Sequence, residues 1–236
     1  HGDHVVVRSG ADLRDTAALV RRVRRWLDLD ADPATVDAAL ASDPALAPLV
    51  AGRPGLRVPT TVDPWETVVR AVVGQQVSVA AAGTLLARLV TAHGTEVPGE
   101  SGLFAFPRPA AIAVLDPAEI TGMPGSRART LVAVAAAVAD GSVALGSPDL
   151  DEVEAALLAI PGVGPWTTGY VRLRALADPD AFPASDLGLR HAARALGLPD
   201  DARALGPRAS AWSPWRSYAA QHLWTSLAAA PVKEPS

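Results

Sequence analysis

The chain has 236 residues, of which 49% are hydrophobic and 19% charged, a composition typical of a folded globular protein and not of a disordered one. It contains no cysteine, which excludes disulfides, thiolate metal sites and iron–sulfur clusters. The formal net charge is −4, and Lys233 is the only lysine, so arginine carries almost all of the positive charge.

Targeting and membrane signals are missing from the sequence. It has no signal peptide, and no apolar stretch free of charges is long enough to span a membrane. We therefore expect a soluble cytoplasmic protein. The chain begins at His1 and not at methionine, which indicates a processed chain or a piece of a longer one.

The N-terminal part combines one short β-like stretch with one amphipathic helix. Residues 4–8 are rich in valine and predict a strand, and residues 12–27 place apolar side chains on one helical face. The arginines around that face suit either a solvated surface or a nucleic-acid contact. One strand and one helix cannot form a stable layer alone.

The middle of the chain predicts short helices separated by proline and glycine. After a short helix over 33–42, Asp63 and Pro64 predict the start of an apolar helix that ends at Gly74. Ser78 is a suitable N-cap for a helix over 79–92. Gln75 and Gln76 therefore lie in a sharp turn between two helices, where amide side chains can also cap helix ends.

The rest of the chain also predicts helices, about ten in all with almost no sheet. Residues 93–109 predict a loop, and the glycine-rich turn over 122–127 is either a plain turn or a backbone contact for phosphate. Asp149 with Glu152 has the form of a capping box. The remaining predicted helices cover residues 109–115, 128–140, 150–160, 186–196, 199–205 and 212–229, and a further one begins at Pro165. The fold class is all-α.

Residues 157–170 predict a helix, a tight glycine hairpin and a second helix. Pro161 stops the first helix, Gly162 and Gly164 can take positive φ, and Pro165 suits the first turn of the second helix. Backbone N–H groups then point out of the hairpin and can bind an anion such as phosphate. A simple helical corner is the alternative.

Three further segments accompany this hairpin in a fixed order. They are Gly74-Gln75-Gln76-Val77-Ser78-Val79, Phe182-Pro183-Ala184-Ser185-Asp186-Leu187 and Trp215-Arg216-Ser217-Tyr218-Ala219. Together the four motifs resemble the helix-hairpin-helix (HhH-GPD) DNA glycosylase superfamily, and in particular its 3-methyladenine DNA glycosylase II, or AlkA-type, branch. Their joint occurrence is far more specific than any one motif.

The resemblance implies a two-lobed helical fold with a truncated N-terminal α+β remnant. The remnant would cover residues 1–35. One lobe, carrying the hairpin, would cover 62–178. The other, carrying the catalytic aspartate, would cover 36–61 plus 179–236, with the active cleft between the two lobes.

The resemblance also implies a role for each matching residue. Asp186 would be the catalytic carboxylate, and Gln76 the wedge that fills the gap left by a flipped base. The expected base pocket consists of Trp166, Tyr170, Trp224, Gln75 and Leu187. The expected phosphate-binding hairpin consists of Gly162, Val163, Gly164, Trp166 and Thr167. Without the motifs around them, Asp186 reads as a helix cap and the aromatic residues as core.

The expected reaction is hydrolytic excision of 3-methyladenine and other alkylated purines from double-stranded DNA, as in base excision repair. Trp166 stands where other branches of the superfamily carry a lysine, so no amine is present to form a Schiff base, and the enzyme would lack lyase activity. Gln76 and Leu187 depart from the apolar wedge and the aromatic residue expected there, which changes how the pocket and wedge contact DNA.

No cofactor is expected for the chemistry. A Na⁺ or K⁺ ion at the hairpin would be held by the main-chain carbonyls of Leu158, Ile160 and Val163, and it would add positive charge that this acidic chain lacks. We expect a monomeric, nucleoid-associated bacterial protein. The alternatives are a non-catalytic helix-hairpin-helix DNA-binding module and the glycosylase part of a larger alkylation-response fusion protein.

Overall fold

The computed structural model describes residues 4–7, 15–120 and 122–229, and within them the fold is all-α, as predicted. The twelve α-helices are α1 Thr16–Trp26, α2 Pro33–Ala41, α3 Ala47–Gly52, α4 Pro64–Val73, α5 Val79–His93, α6 Pro109–Ala113, α7 Gly125–Ala139, α8 Leu150–Leu158, α9 Pro165–Arg174, α10 Leu187–Ala195, α11 Ala202–Ala209 and α12 Arg216–Ala229. Two single-turn 3₁₀ helices cover Pro117–Glu119 and Ser210–Trp212.

The predicted strand over residues 4–8 is not formed in the described part, because residues 4–7 are exposed and carry no strand. A strand needs a partner to satisfy its backbone, and within the described part of the chain no segment pairs with these four residues. The rest of that prediction lies outside the described residues. A short antiparallel pair, β1 Thr95–Glu96 and β2 Phe104–Ala105, instead occupies the predicted loop over 93–109.

Side-chain caps start most of the predicted helices at the expected residues. Asp63, Ser78, Asp149 and Asp186 each accept a backbone N–H from the first turn of the helix that follows. Some predicted boundaries were wrong. Helix α11 begins at Ala202 and not at residue 199, because Asp201 is the capping residue. Helix α7 begins at Gly125 and not at residue 128, and α12 begins at Arg216 and not at residue 212. Cap chemistry is local, which explains why it can be read from sequence.

The helices enclose two hydrophobic cores. The first is built on α4 to α9 and contains fully buried side chains such as Val69 and Leu131. The second joins α2 and α3 to α10, α11 and α12, with Leu189 and Leu223 at its centre. Helix α9 contributes Val171 to the first core and Leu173 to the second, so it lies between them. The lobe boundaries given above stay a prediction.

None of the described helices is both long and apolar enough to cross a membrane.

Asp43 joins the N-terminal helices of the second core to its C-terminal part. It lies between α2 and α3, and its Oδ2 accepts hydrogen bonds from Arg208 of α11 and, at 2.6 Å, from Nε1 of Trp212. Burial raises the pKa of Asp43, but the hydrogen bonds from Arg208 and Trp212 outweigh it, so the pKa lies below its ordinary value. Because the folded-state pKa is depressed, this contribution to stability is present above the unfolded value of about 3.9 and is lost as the pH falls through the folded-state pKa.

We therefore expect Asp43→Asn to lower the free energy of unfolding by about 2 kcal/mol at pH 7, because a charged partner of Arg208 is lost. Near pH 3 the native chain has lost part of the same contribution, so the difference between the two proteins should shrink. Urea unfolding at both pH values measures it. A difference that is equal at pH 7 and pH 3 would contradict the assignment.

Candidate active site

The carboxylate of Asp186 is bound by two tryptophan indoles from different helices. Trp166 of α9 donates Nε1–H to Oδ2 at 2.9 Å, and Trp224 of α12 donates Nε1–H to Oδ1 at 2.9 Å. The N–H of Leu189 also donates to Oδ1, at 2.9 Å, as the N-cap bond of α10. The carboxylate therefore has a fixed direction, and the positive end of the α10 dipole favours its charge.

The segment before Asp186 is anchored to α9 and α12. Ser217 of α12 donates to the carbonyl oxygens of Asp178 (2.6 Å) and Ala181 (2.9 Å). Pro183 packs on α9 at Gly169, where an added Cβ would lie only 3.3 Å from the Pro183 ring. The rigid ring of Pro183 packs on Gly169 of α9 and so fixes the direction in which the chain approaches Asp186.

An ion-pair network supports the same segment from the side of α8. Arg172 of α9 binds Asp151 and Glu154 of α8 and, through Nε at 2.7 Å, Asp178. Partial burial opposes the charge of Arg172, but its hydrogen bonds to Glu154, Asp151 and Asp178 raise its pKa above the ordinary value. The guanidinium is therefore always charged, and it ties the start of the aspartate segment to two helices.

Two of the three predicted pocket aromatics, Trp166 and Trp224, bind Asp186, and the third, Tyr170, stacks on Trp166. Trp166 and Tyr170 stack with ring centroids 5.6 Å apart and an angle of 22° between their planes. Arg174 lies 4.9 Å from the ring centroid of Trp224. Burial lowers the pKa of Arg174, although Tyr170 partly offsets this. Leu187 is the first residue of α10, directly after Asp186, and its side chain is 64% exposed to solvent.

The hairpin between α8 and α9 has one glycine with a strict steric requirement. Gly162 has φ of +91°, and an added Cβ would lie 2.0 Å from Oγ1 of Thr130, which donates to the carbonyl of Pro161 at 2.9 Å. Gly164 differs from the expectation, since its φ of −119° is an extended conformation. Among the described residues, and apart from its two chain neighbours, no atom lies within 4 Å of a Cβ added at Gly164, so packing does not require glycine there.

The N-terminus of α9 is open. Gly164 caps it without a side chain, Pro165 is its first residue as predicted, and its first turn contains no acidic residue. The N–H groups at Trp166 and Thr167 therefore keep the free, anion-attracting character of a helix start. The N–H of Val163, by contrast, donates to the carbonyl of Ile160 at 3.0 Å.

Gln75 contacts the hairpin and not the carboxylate. Its Nε2 donates to the carbonyl of Gly162 at 3.1 Å and to Oγ1 of Thr167 at 2.9 Å. Gln76 is exposed and has φ of +55°. Sequence reasoning missed Gly188, Thr130 and Arg127 as members of this region, because their contacts are to residues distant in sequence. Among the described residues, no group of three or more His, Cys, Asp or Glu side chains could hold a metal ion.

The chain belongs to the HhH-GPD superfamily of base excision DNA repair proteins, whose family model matches residues 69–217. The model of the AlkA N-terminal domain matches residues 1–63. The superfamily match includes the hairpin, α9 with Trp166, and Asp186, whereas Trp224 lies beyond its last residue. It agrees with the resemblance indicated by the motifs.

Individual relatives make the comparison more specific. The chain is 35% identical to DNA-3-methyladenine glycosylase 2 of Escherichia coli, over 95% of this chain and 77% of that protein. It is 49% identical to a probable bifunctional transcriptional activator/DNA repair enzyme AlkA of Mycobacterium tuberculosis, over 92% of this chain but only 44% of that protein, so it spans less than half the length of this relative. Among solved structures, a 3-methyladenine DNA glycosylase of Archaeoglobus fulgidus aligns with a TM-score of 0.79 and 25% identity, over 93% of this chain and 77% of that one.

Gly188 makes room for the indole of Trp224. A Cβ added there would lie 3.1 Å from Cδ1 and 3.2 Å from Nε1 of Trp224, and 3.1 Å from Oδ1 of Asp186. We therefore expect Gly188→Ala to displace this indole and to shift its N–H resonance in ¹H–¹⁵N NMR spectra.

The matched control is Gly83→Ala in α5, where no atom lies within 4 Å of the added Cβ. That variant should gain up to about 1 kcal/mol in urea unfolding, because alanine is the better helix former, and it should leave the Trp224 resonance unchanged. An unmoved Trp224 signal in Gly188→Ala would show that the close contact does not position the ring.

Proposed function

We propose that the protein is a DNA glycosylase that flips alkylated purines, including 3-methyladenine, out of double-stranded DNA and hydrolyses their N-glycosidic bond. The observation that carries the proposal is the Asp186 carboxylate, held by Trp166 and Trp224 beside an open helix-hairpin-helix turn. Membership of the superfamily and the similarity to the E. coli glycosylase support it.

Asp186 is suited to stabilise the reaction's transition state. Breaking the bond between sugar and base builds positive charge on the sugar, and a fixed carboxylate lowers the energy of that charge. Each carboxylate oxygen can accept two hydrogen bonds. Oδ1 accepts two and Oδ2 accepts one, so Oδ2 retains a free position that can face the sugar or orient the attacking water.

Water is the proposed nucleophile, and the enzyme would therefore be monofunctional. Covalent attack on the sugar with later strand cleavage needs an amine that can form a Schiff base. Trp166, the second residue of α9, stands where a lyase would carry a lysine, and the only lysine of the chain, Lys233, is far away in sequence. The indole of Trp166 instead donates to Asp186.

The flipped base would stack on the aromatic cluster. Alkylation at a ring nitrogen gives the purine a positive charge, which the faces of Trp166 and Tyr170 attract through cation–π interactions. Leu187 offers a smaller apolar surface at the rim than an aromatic residue would. Gln76, exposed in its turn, would enter the space that the base leaves.

The hairpin would bind a phosphate of the DNA backbone through N–H groups of Gly162, Gly164, Trp166 and Thr167. The open space at Gly164 supports this phosphate contact. Packing within the protein does not require glycine there, but the missing side chain lets a ligand approach the backbone closely. A backbone site also suits a chain of net charge −4, since it requires no side-chain cation. The protein would act as a monomer.

A Na⁺ or K⁺ ion fits the hairpin carbonyls. Leu158 is the last residue of α8, so its carbonyl lacks an intrahelical partner, and Ile160 uses its carbonyl for one hydrogen bond only among the described residues. With the carbonyl of Val163, these oxygens would hold the ion, which would supply positive charge next to the phosphate.

The ion can be tested by its effect on DNA binding. Replacing KCl with choline chloride at equal ionic strength should weaken binding to an undamaged duplex several-fold, about 3-fold or more, because choline is too large for the carbonyls. Fluorescence anisotropy gives the two dissociation constants. Equal constants in both salts would remove the ion from the proposal without affecting the phosphate contact.

The decisive variant for catalysis is Asp186→Asn, assayed by release of 3-methyladenine from methylated duplex DNA. Asparagine keeps the N-cap bond to Leu189 but has no charge, so we expect the single-turnover rate to fall about 1,000-fold or more. Binding to undamaged DNA should be unchanged.

Asparagine also places an NH₂ group against one indole N–H, so that hydrogen bond is lost as well. Trp166→Phe is the matched control, since it removes an indole bond but keeps the carboxylate and a stacking ring; we expect a loss of only about tenfold.

The native product should be an intact abasic site with no borohydride-trapped adduct. Base release that is equal in the native chain and Asp186→Asn would exclude Asp186 as the catalytic residue. DNA binding without any base release would favour a non-catalytic module.

The similarity to a mycobacterial protein named as bifunctional supports one further part of the proposal. In a fusion of that kind, this chain would correspond to the part responsible for DNA repair.

A further inference from the structure

Two turns and one helix from different parts of the chain are joined by hydrogen bonds to main-chain carbonyls. Arg127 of α7 donates through Nη2 to the carbonyl of Gln75, and the Gln75 side chain donates to the carbonyl of Gly162 at 3.1 Å. Thr130, one turn further along α7, donates to the carbonyl of Pro161 at 2.9 Å. Helix α7 therefore holds both the hairpin and the turn between α4 and α5, which we term the wedge turn (residues 74–77).

The wedge turn contains a backbone conformation that glutamine seldom adopts. Gln76 has φ of +55°, in the left-handed region, where the side chain crowds its own backbone. Unlike asparagine or aspartate, glutamine gains little from local hydrogen bonding there. Contacts from outside the turn must therefore hold this conformation.

Arg127 is placed to hold it. The peptide group between Gln75 and Gln76 is planar, so the direction of the Gln75 carbonyl also fixes the N–H of Gln76. By binding that carbonyl, Arg127 fixes one side of the bond whose rotation is the φ angle of Gln76. The Gln75 amide on the hairpin fixes the residue just before it.

The guanidinium of Arg127 lies at this place although the described residues do not satisfy all of its hydrogen-bond donors. Its Nη1 is buried and has no hydrogen-bond partner in the described part of the chain. A buried unsatisfied donor is rare in proteins and is costly for stability. This is consistent with selection for the position of the wedge turn and not for stability.

We propose that Arg127 is a positioning residue that holds Gln76 in its left-handed conformation before DNA binds and couples wedge insertion to the hairpin. The inference rests on the proposed function and deepens it. Insertion into the duplex then needs no rearrangement of the wedge turn. The hairpin binds the phosphate, and the Gln75 side chain links the hairpin to the neighbouring Gln76. The position of the bound phosphate therefore determines where Gln76 enters the duplex.

The test is a double-mutant cycle between Arg127 and Gln76. Arg127→Met removes the donor but keeps the length of the side chain, and it should slow single-turnover release of 3-methyladenine about tenfold. Gln76→Asn keeps an amide, and asparagine adopts the left-handed region more readily. If Arg127 acts through this conformation, adding Gln76→Asn to Arg127→Met should restore about threefold or more of the lost rate.

Two further measurements separate positioning from general damage. Arg129→Met is the matched control, because Arg129 is an exposed arginine on the same helix, and it should leave the rate within about twofold of the native value. Affinity for undamaged duplex DNA should be unchanged in Arg127→Met and Arg129→Met, since neither change removes an N–H group of the hairpin. If Arg127→Met fails to fold by circular dichroism, Arg127→Leu, which also removes the donor, takes its place in the same cycle.

A duplex with a tetrahydrofuran abasic analogue next to 2-aminopurine reports insertion without any chemistry. Its fluorescence change on mixing should be slower with Arg127→Met than with the native protein, and it should recover in the double variant. Strictly additive losses, or an equal loss in Arg129→Met, would overturn the inference. Absence of base release by the native protein would refute the proposed function, while the fluorescence experiment would still decide the role of Arg127.

Discussion

The structure of the site depends on one carboxylate that is bound from both sides. Asp186 accepts an indole N–H from Trp166 on α9 and another from Trp224 on α12, and it caps α10 at the same time. The surrounding features serve this arrangement. Pro183 packs on Gly169, Ser217 binds the preceding segment, and the missing side chain of Gly188 leaves room for Trp224.

Helix α9 connects this carboxylate to the rest of the molecule. Its N-terminus forms half of the hairpin, its side chains enter both cores, and Arg172 near its end binds α8 and the aspartate segment. The proposed phosphate contact and the proposed catalytic group are therefore built on one rigid element. In the proposed function, that arrangement would let a protein of net charge −4 bind DNA through backbone dipoles at a defined distance from the reacting sugar.

Much of the fold could be predicted because its signals are local. Asp63, Ser78, Asp149 and Asp186 cap helices through bonds to residues at most three positions away. Helix α8 ends at Leu158, two residues before the predicted end at Ile160. The predicted strand over residues 4–8 had no such support. Strand formation depends on a partner elsewhere in the chain, which valine content alone does not reveal.

The sequence by itself determined the helices, the hairpin and the identity of the residues around Asp186, since caps, prolines and motif spacing act over a few residues. Only the tertiary structure decided what those residues touch. Gln75 binds Gly162 across 87 positions, and Arg127 binds Gln75 across 52. Such pairs leave no pattern in a single sequence, because their geometry is created by the packing of α4, α7 and α9, after each helix has formed by its own local rules.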